Sequence, residues 1–276
     1  MLMAWMMLAA AAAAVYPQGA TVKVRSGGEA VEAQMNGRRV RLFPQADGGR
    51  LGLIGIPVLE KPGDYALEYL DASGKVVRTE TVTVRDARFP TQNVVLGKQQ
   101  TELKSSPVES EKVGAFLKNV TEKRMWPDRF ASPVPGCMNS PFGVVRLHNG
   151  KPTGSYHGGA DQRSPAGKPI VAPADGVVKI AEMFVLRGGT VGLDHGQGLE
   201  TMYMHMSGFA VKEGAVVKQG DVLGYVGSTG RANGPHLHWS VYANGVAVNP
   251  LEWVKLTPCG AAQPAGKKAP ARGRRR

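Results

Sequence analysis

The sequence predicts a mainly β fold, and three observations carry that prediction. The 276 residues include Gly 36 and Pro 19, which break the chain often. Apolar and polar residues alternate in short runs, with few long stretches at helical spacing. Turn signals such as Asn36-Gly37 and Lys218-Gln219-Gly220-Asp221 recur between those runs. The apolar content of 42% is that of an ordinary globular chain, and the length suits about two domains.

The chain opens with an apolar stretch, residues 1–16, that is too short to span a membrane and holds small residues (Ala12, Ala13, Ala14) suited to cleavage. It reads as a signal peptide, although its start carries no Lys or Arg. Export to the periplasm or beyond is the expectation, with no membrane span once the signal is removed. Residues 17–95 follow as a small β-sandwich of the immunoglobulin-like kind. Thr21-Val22-Lys23-Val24-Arg25 and Thr79-Glu80-Thr81-Val82-Thr83-Val84 alternate as strands do. Asn36-Gly37 marks a tight hairpin, because both central positions of a type I′ turn need positive φ, and Asp71-Ala72-Ser73-Gly74 marks a longer one. The segment has no His and no paired nucleophile and base, so a binding or spacing role is expected of it.

A linker with one helix occupies residues 96–129. Ser106-Pro107-Val108-Glu109 supplies a capping Ser, a first-turn Pro and a Glu placed to close a capping box. Val113, Phe116, Leu117 and Val120 then fall at helical spacing, and Trp126-Pro127 is the expected stop. Residues 130–258 form the second, antiparallel β domain, with strands expected at 177–181, 190–194, 199–205 and 222–226. Residues 259–276 form a basic tail without acids, expected to be disordered. The formal net charge is +12, and this tail carries Lys267, Lys268, Arg272, Arg274, Arg275 and Arg276. On an exported protein it suits anionic envelope polymers; nucleic acid is not expected.

The chemistry lies in the second domain, where all six histidines fall between His148 and His238. His157-Gly158-Gly159-Ala160-Asp161 sets an imidazole and a carboxylate four apart, with glycines that disfavour helix and let both face one ion. His236-Leu237-His238 and Tyr203-Met204-His205 each put side chains at i and i+2, on one face of a strand. His148 sits in a turn-like stretch and reads as exposed, whereas His195 reads as structural. Cys137 and Cys259 bracket the whole constellation, and export permits a disulfide between them worth on the order of 4 to 5 kcal/mol by loop entropy.

Gly158 to Asp161, Val191 to Gly196, Tyr203 to His205 and Ser228 to Trp239 resemble, in this order, the motifs of the lysostaphin/LytM family of zinc endopeptidases. The resemblance covers about half the chain. It implies one zinc held by His157, Asp161 and His238, with His205 and His236 beside the catalytic water. Three protein ligands leave a fourth position for water, whose pKa zinc brings toward about 7. The sequence leaves open which histidine is the general base. Asn139, Arg146 and Tyr203 are expected at the substrate cleft. The implied substrate is peptidoglycan, cut at a cross-link peptide bond, D-alanyl to diaminopimelyl in the forms that carry such an amino-terminal domain. The chain departs from the family at Gln162-Arg163-Ser164, where small or apolar residues are usual. A catalytically inert relative that binds peptidoglycan and activates another hydrolase is the main competing reading, although every ligand position is filled. A sugar-transport phosphocarrier with paired histidines is disfavoured by Asp161 and by the signal-like start.

Overall fold

The computed structural model describes residues 13–260. Most of the expected signal segment and of the basic tail therefore lies outside the described residues. The short strand Ala14–Pro17, which overlaps the end of that segment, pairs in parallel with Val76–Arg85. No helix among the described residues is long and apolar enough to cross a membrane.

The amino-terminal part closes two sheets on one core. A five-stranded sheet runs in the order Ala14–Pro17, Val76–Arg85, Gly63–Leu70, Glu32–Met35, Arg38–Arg41. A three-stranded sheet places Arg50–Gly55 between Thr21–Ser26 and Phe43–Pro44. Alternation does the work expected of it: Val22, Val24, Ala33, Met35, Leu67, Tyr69, Val82 and Val84 all point into the shared core. The hairpin at Asn36-Gly37 has φ of 46° and 75° and pairs Met35 with Arg38, as a two-residue turn of positive φ requires.

A short helix not expected from the sequence, Lys98–Glu102, precedes the linker helix. The linker helix itself runs Pro107–Leu117, with Ser106 Oγ accepting from Glu109 N. It ends earlier than Trp126-Pro127 implies, and Val120 beyond it is exposed. Val113 and Phe116 pack on Ile180, Phe184, Met202, Met204 and Tyr242, so the helix seals one face of the larger sheet.

That sheet has eight strands. Its order is Met138–Ser140, Ala160–Gln162, Leu237–Ala243, Leu199–Met206, Gly188–Asp194, Gly176–Phe184 and Val216–Val217, with Val246–Val248 pairing beside Leu237–Ala243. A further small sheet sets Val145–His148 between Lys151–Tyr156 and Thr91–Val94, the last in parallel. The larger core beneath holds Tyr203, Trp239, Trp253, Leu193 and Leu199, together with Leu51 and Leu53 from the amino-terminal sheet. The two parts are joined there: Asn244 Nδ2 donates to Leu53 O at 2.7 Å, and Thr21 N to Glu252 Oε2 at 2.8 Å. Cys137 and Cys259 are bonded, with Cα atoms 4.9 Å apart.

Candidate metal centre and cleft

Register builds the centre. Asp161 lies directly opposite His238 across the antiparallel pair of Ala160–Gln162 and Leu237–Ala243, so their side chains leave the same face. His157 is brought over them by the turn through Gly158-Gly159. Gly159 is required, because a Cβ there would meet Trp239 O at 2.3 Å and His238 Nε2 at 2.8 Å. The result is a triangle of atoms. His157 Nε2 is 2.9 Å from Asp161 Oδ1 and 2.9 Å from His238 Nδ1, which is 2.8 Å from the same Asp161 oxygen.

Hydrogen bonding outside the triangle fixes what those atoms offer. His157 Nδ1 donates to Pro141 O at 2.7 Å, which leaves a lone pair on Nε2. His238 Nε2 lies 3.1 Å from Ser240 Oγ, able to donate there and so to leave a lone pair on Nδ1. Burial raises the Asp161 carboxyl, but His157 and His238 beside it prevail and hold it well below the usual range, ionised. Burial pushes His238 down to about 4, against the pull of Asp161, so it is neutral near pH 7. Two imidazole lone pairs and a carboxylate oxygen within 3 Å repel one another unless a cation lies among them. The residues fit zinc: nitrogen and oxygen donors, three in number, with imidazole hydrogens anchored outside.

Two more histidines face the same point. His236 Nδ1 donates to Gly234 O at 2.8 Å, and its Nε2 stands 3.8 Å from Asp161 Oδ1. His205 Nδ1 donates to Thr229 O at 2.9 Å, and its ring centroid is 5.0 Å from that of His236. In the neutral ring each therefore carries its lone pair on Nε2, away from its backbone anchor. Burial first, then the neighbouring His238 and His236, push His205 down to about 3. The two imidazoles, the triangle and a cleft of about 310 Å³ adjoin. Met204, Tyr156, Tyr242, Arg187 and Arg231 also line that cleft, and no residue of 14–85 does.

The expected substrate residues are placed differently. Tyr203 is fully buried in the core, its hydroxyl 2.8 Å from Thr201 Oγ1, and does not line the cleft. The i and i+2 pattern fails there because the ladder shifts register between Gly189 and Val191, and His205 adopts φ of 61°. Asn139 is exposed on the edge strand and is not among the cleft residues. Arg146 does reach the cleft, but its guanidinium is engaged: Nη2 donates to Asp161 Oδ2 at 3.1 Å and Nη1 to Gln92 Oε1 at 3.0 Å. His148, expected to be exposed, is half-buried in the cleft wall. His195 is structural, buried between Asp175 O at 2.7 Å and Thr201 Oγ1 at 2.8 Å. Gln162 turns away from the cleft, its amide donating to Ser132 Oγ and Val134 O, so this departure from the family pattern leaves the cleft alone.

Sequence reasoning passed over two supports. Gln92 Oε1 accepts from Arg146 and from Ser140 Oγ at 2.7 Å, and Ser140 Oγ is 3.4 Å from His157 Nδ1. Gln92 therefore ties together the groups behind two of the candidate ligands, His157 and Asp161. Glu109 on the linker helix, fully buried, accepts from Leu186 N at 3.0 Å, Arg187 N at 3.2 Å and Arg187 Nη1 at 2.7 Å. It does not return to its own helix start as a capping box would require. Arg187 O in turn accepts from His205 N at 3.0 Å. Only the Glu109 spacing left a trace in the sequence, and that trace suggested the wrong partner.

Comparison with known proteins agrees with this geometry. Residues 155–250 match peptidase family M23. The DD-carboxypeptidase/endopeptidase Mpg of Neisseria meningitidis serogroup B is 43% identical over 121 residues, 44% of this chain and 28% of that protein. The peptidoglycan DD-endopeptidase ShyC of Vibrio cholerae is 39% identical over 113 residues, 41% of this chain and 26% of its own length. The chain thus spans little more than a quarter of the curated relatives it matches. A crystal structure from Pseudomonas aeruginosa assigned to peptidase M23 is 32% identical, with a TM-score of 0.66 over 86% of this chain and 93% of that one. With all five converging residues inside the matched segment and a relative aligned along nearly its whole length, this chain belongs to peptidase family M23.

Proposed function

We propose that this peptidase is an exported, zinc-dependent endopeptidase that hydrolyses peptide cross-links of peptidoglycan, at the D-alanyl to diaminopimelyl bond. The observation that carries the reading is the convergence of three donor atoms on one point, with two further imidazole rings facing it. His157, Asp161 and His238 would hold the zinc, which would supply Lewis acidity and acidify the attacking water toward neutral pKa. The rest is done by the chain itself. His236 and His205 are anchored through Nδ1 by Gly234 O and Thr229 O, which leaves each Nε2 free to take the proton of the attacking water. Held as imidazolium, the same group hydrogen-bonds the developing oxyanion or returns the proton to the leaving amine. Arg146 holds Asp161 Oδ2, so the carboxylate presents Oδ1 to the centre. We assign residues 17–85 to a spacing or binding module, since the cleft takes nothing from residues 14–85, whereas Thr91–Val94, expected to close that module, joins the small sheet at the cleft and brings Val94 to its wall. The presence of every ligand residue favours an enzyme over an inert activator.

Digestion of purified peptidoglycan, with and without a chelator, followed by mass analysis of the products tests this. Monomeric muropeptides released from cross-linked dimers, and their loss on chelation, are expected. Undiminished release in chelator refutes the zinc dependence, and products cut elsewhere refute the bond.

A further inference from the structure

Three guanidinium groups line the cleft, and two are already engaged. Arg146 is held by Asp161 and Gln92, and Arg187 by the buried Glu109. Arg231 differs. Among the described residues its guanidinium makes no hydrogen bond and no ion pair, although Arg231 is half-buried and its backbone is fixed by Arg231 N donating to Leu186 O at 2.9 Å. Burial and the nearby Arg187 both disfavour its charge, so the protein holds an unneutralised cation in place at some cost. Among the described residues Asp161 is the one carboxylate lining the cleft, and it is spent on His157, His238 and Arg146. A planar five-donor fork, partly desolvated and without an anion, is matched by a carboxylate that binds it bidentately.

We propose that Arg231 is a specificity-determining residue that receives a free carboxylate of the peptide substrate, close to the bond that is cut. Resting on the proposed peptidase reading, this names the substrate class more narrowly: a cross-link peptide that keeps an unamidated carboxylate beside the scissile bond. A carboxamide in its place offers one acceptor and an N–H₂ that opposes the guanidinium donors. Charge-assisted hydrogen bonds of this kind correspond to discrimination of about 10- to 100-fold.

The test uses two synthetic cross-linked peptide dimers, identical except that the carboxylate beside the scissile bond is free in one and amidated in the other. Their affinities for the full, metal-loaded chain are measured by calorimetry with the scissile amide replaced in both dimers by a non-hydrolysable isostere, so that no turnover occurs. The wild-type protein is expected to prefer the free carboxylate by about tenfold or more, and Arg231→Gln to bring the ratio to near one. Arg231→Lys, which keeps charge and loses the fork, should fall between them. Equal affinities in the wild type, no binding of either dimer, or an unchanged ratio in Arg231→Gln overturns the proposal. The two readings fail separately: hydrolysis by the metal-loaded protein without carboxylate preference rejects the role of Arg231 alone. Carboxylate-selective binding without hydrolysis rejects the peptidase chemistry alone.

Discussion

Replacing Glu109 by Gln tests whether the linker helix organises the cleft from a distance. The fully buried Glu109 carboxylate accepts from two backbone N–H groups of the loop at 186–187 and from the Arg187 guanidinium. An amide of the same shape keeps one acceptor and turns an N–H₂ toward a donor. The Arg187 side chain, 26% exposed, is left without its counter-ion. One charge-assisted hydrogen bond is worth about 1.5–3 kcal/mol, and breaking a buried pair costs about 3–5 kcal/mol. A loss of about 3 kcal/mol is expected, equivalent to a Tm about 6–12 °C lower for a chain of this size. Because Arg187 O holds His205 N while Glu109 touches none of the three ligands, turnover should fall with zinc stoichiometry unchanged. Urea denaturation, zinc analysis and hydrolysis of peptidoglycan fragments read the three effects. Stability within about 0.5 kcal/mol of wild type together with full turnover would refute the reasoning.

Glu200 offers a pH test. It is fully buried, neither carboxyl oxygen has a partner, and burial followed by the charge of Asp194 raises it to about 9 from 4.5. A carboxyl that holds its proton more tightly when folded contributes stability that is whole below pH 4.5 and lost as pH rises toward 9. Relative to Glu200→Gln, the wild type should therefore lose about 3 kcal/mol between pH 4.5 and 7, read from denaturation midpoints; parallel pH profiles would sink the idea. For Gln92→Leu, which unties Ser140 and Arg146 behind the ligands, zinc affinity measured by chelator competition should weaken about 10- to 100-fold. An unaltered affinity would show that Gln92 supports something else.

Local signals were read correctly where the physics is local. The Asn36-Gly37 hairpin, the Ser106 cap and the alternation of the first sheet need only neighbouring residues, and all three appear in the structure. The residues that converge as candidate ligands were legible for a related reason, since His157, Asp161 and the His236-Leu237-His238 strand each lie in short, distinctive stretches. The failures are non-local. Tyr203 and His205 part company at a shift in the pairing with Gly188–Asp194, where three steps on Leu199–Met206 face two on its neighbour. Gln92 reaches the ligands only because Thr91–Val94 pairs in parallel with Val145–His148, a contact that no periodicity announces. Glu109 sits where a capping box wants a Glu, and tertiary contacts with 186–187 took it instead. Arg146 lines the cleft, but its engagement with Asp161 is visible only in three dimensions.

The division of labour among the converging residues is the centre of this account, and zinc content measured alongside hydrolysis in His236→Ala tests it most directly. His157→Ala serves as the comparison. One zinc per chain with hydrolysis abolished is predicted for His236→Ala, against loss of both metal and activity for His157→Ala. Full hydrolysis by the His236 variant, or loss of its zinc, would contradict the assignment of the metal to His157, Asp161 and His238 and of proton transfer to the histidines beside them.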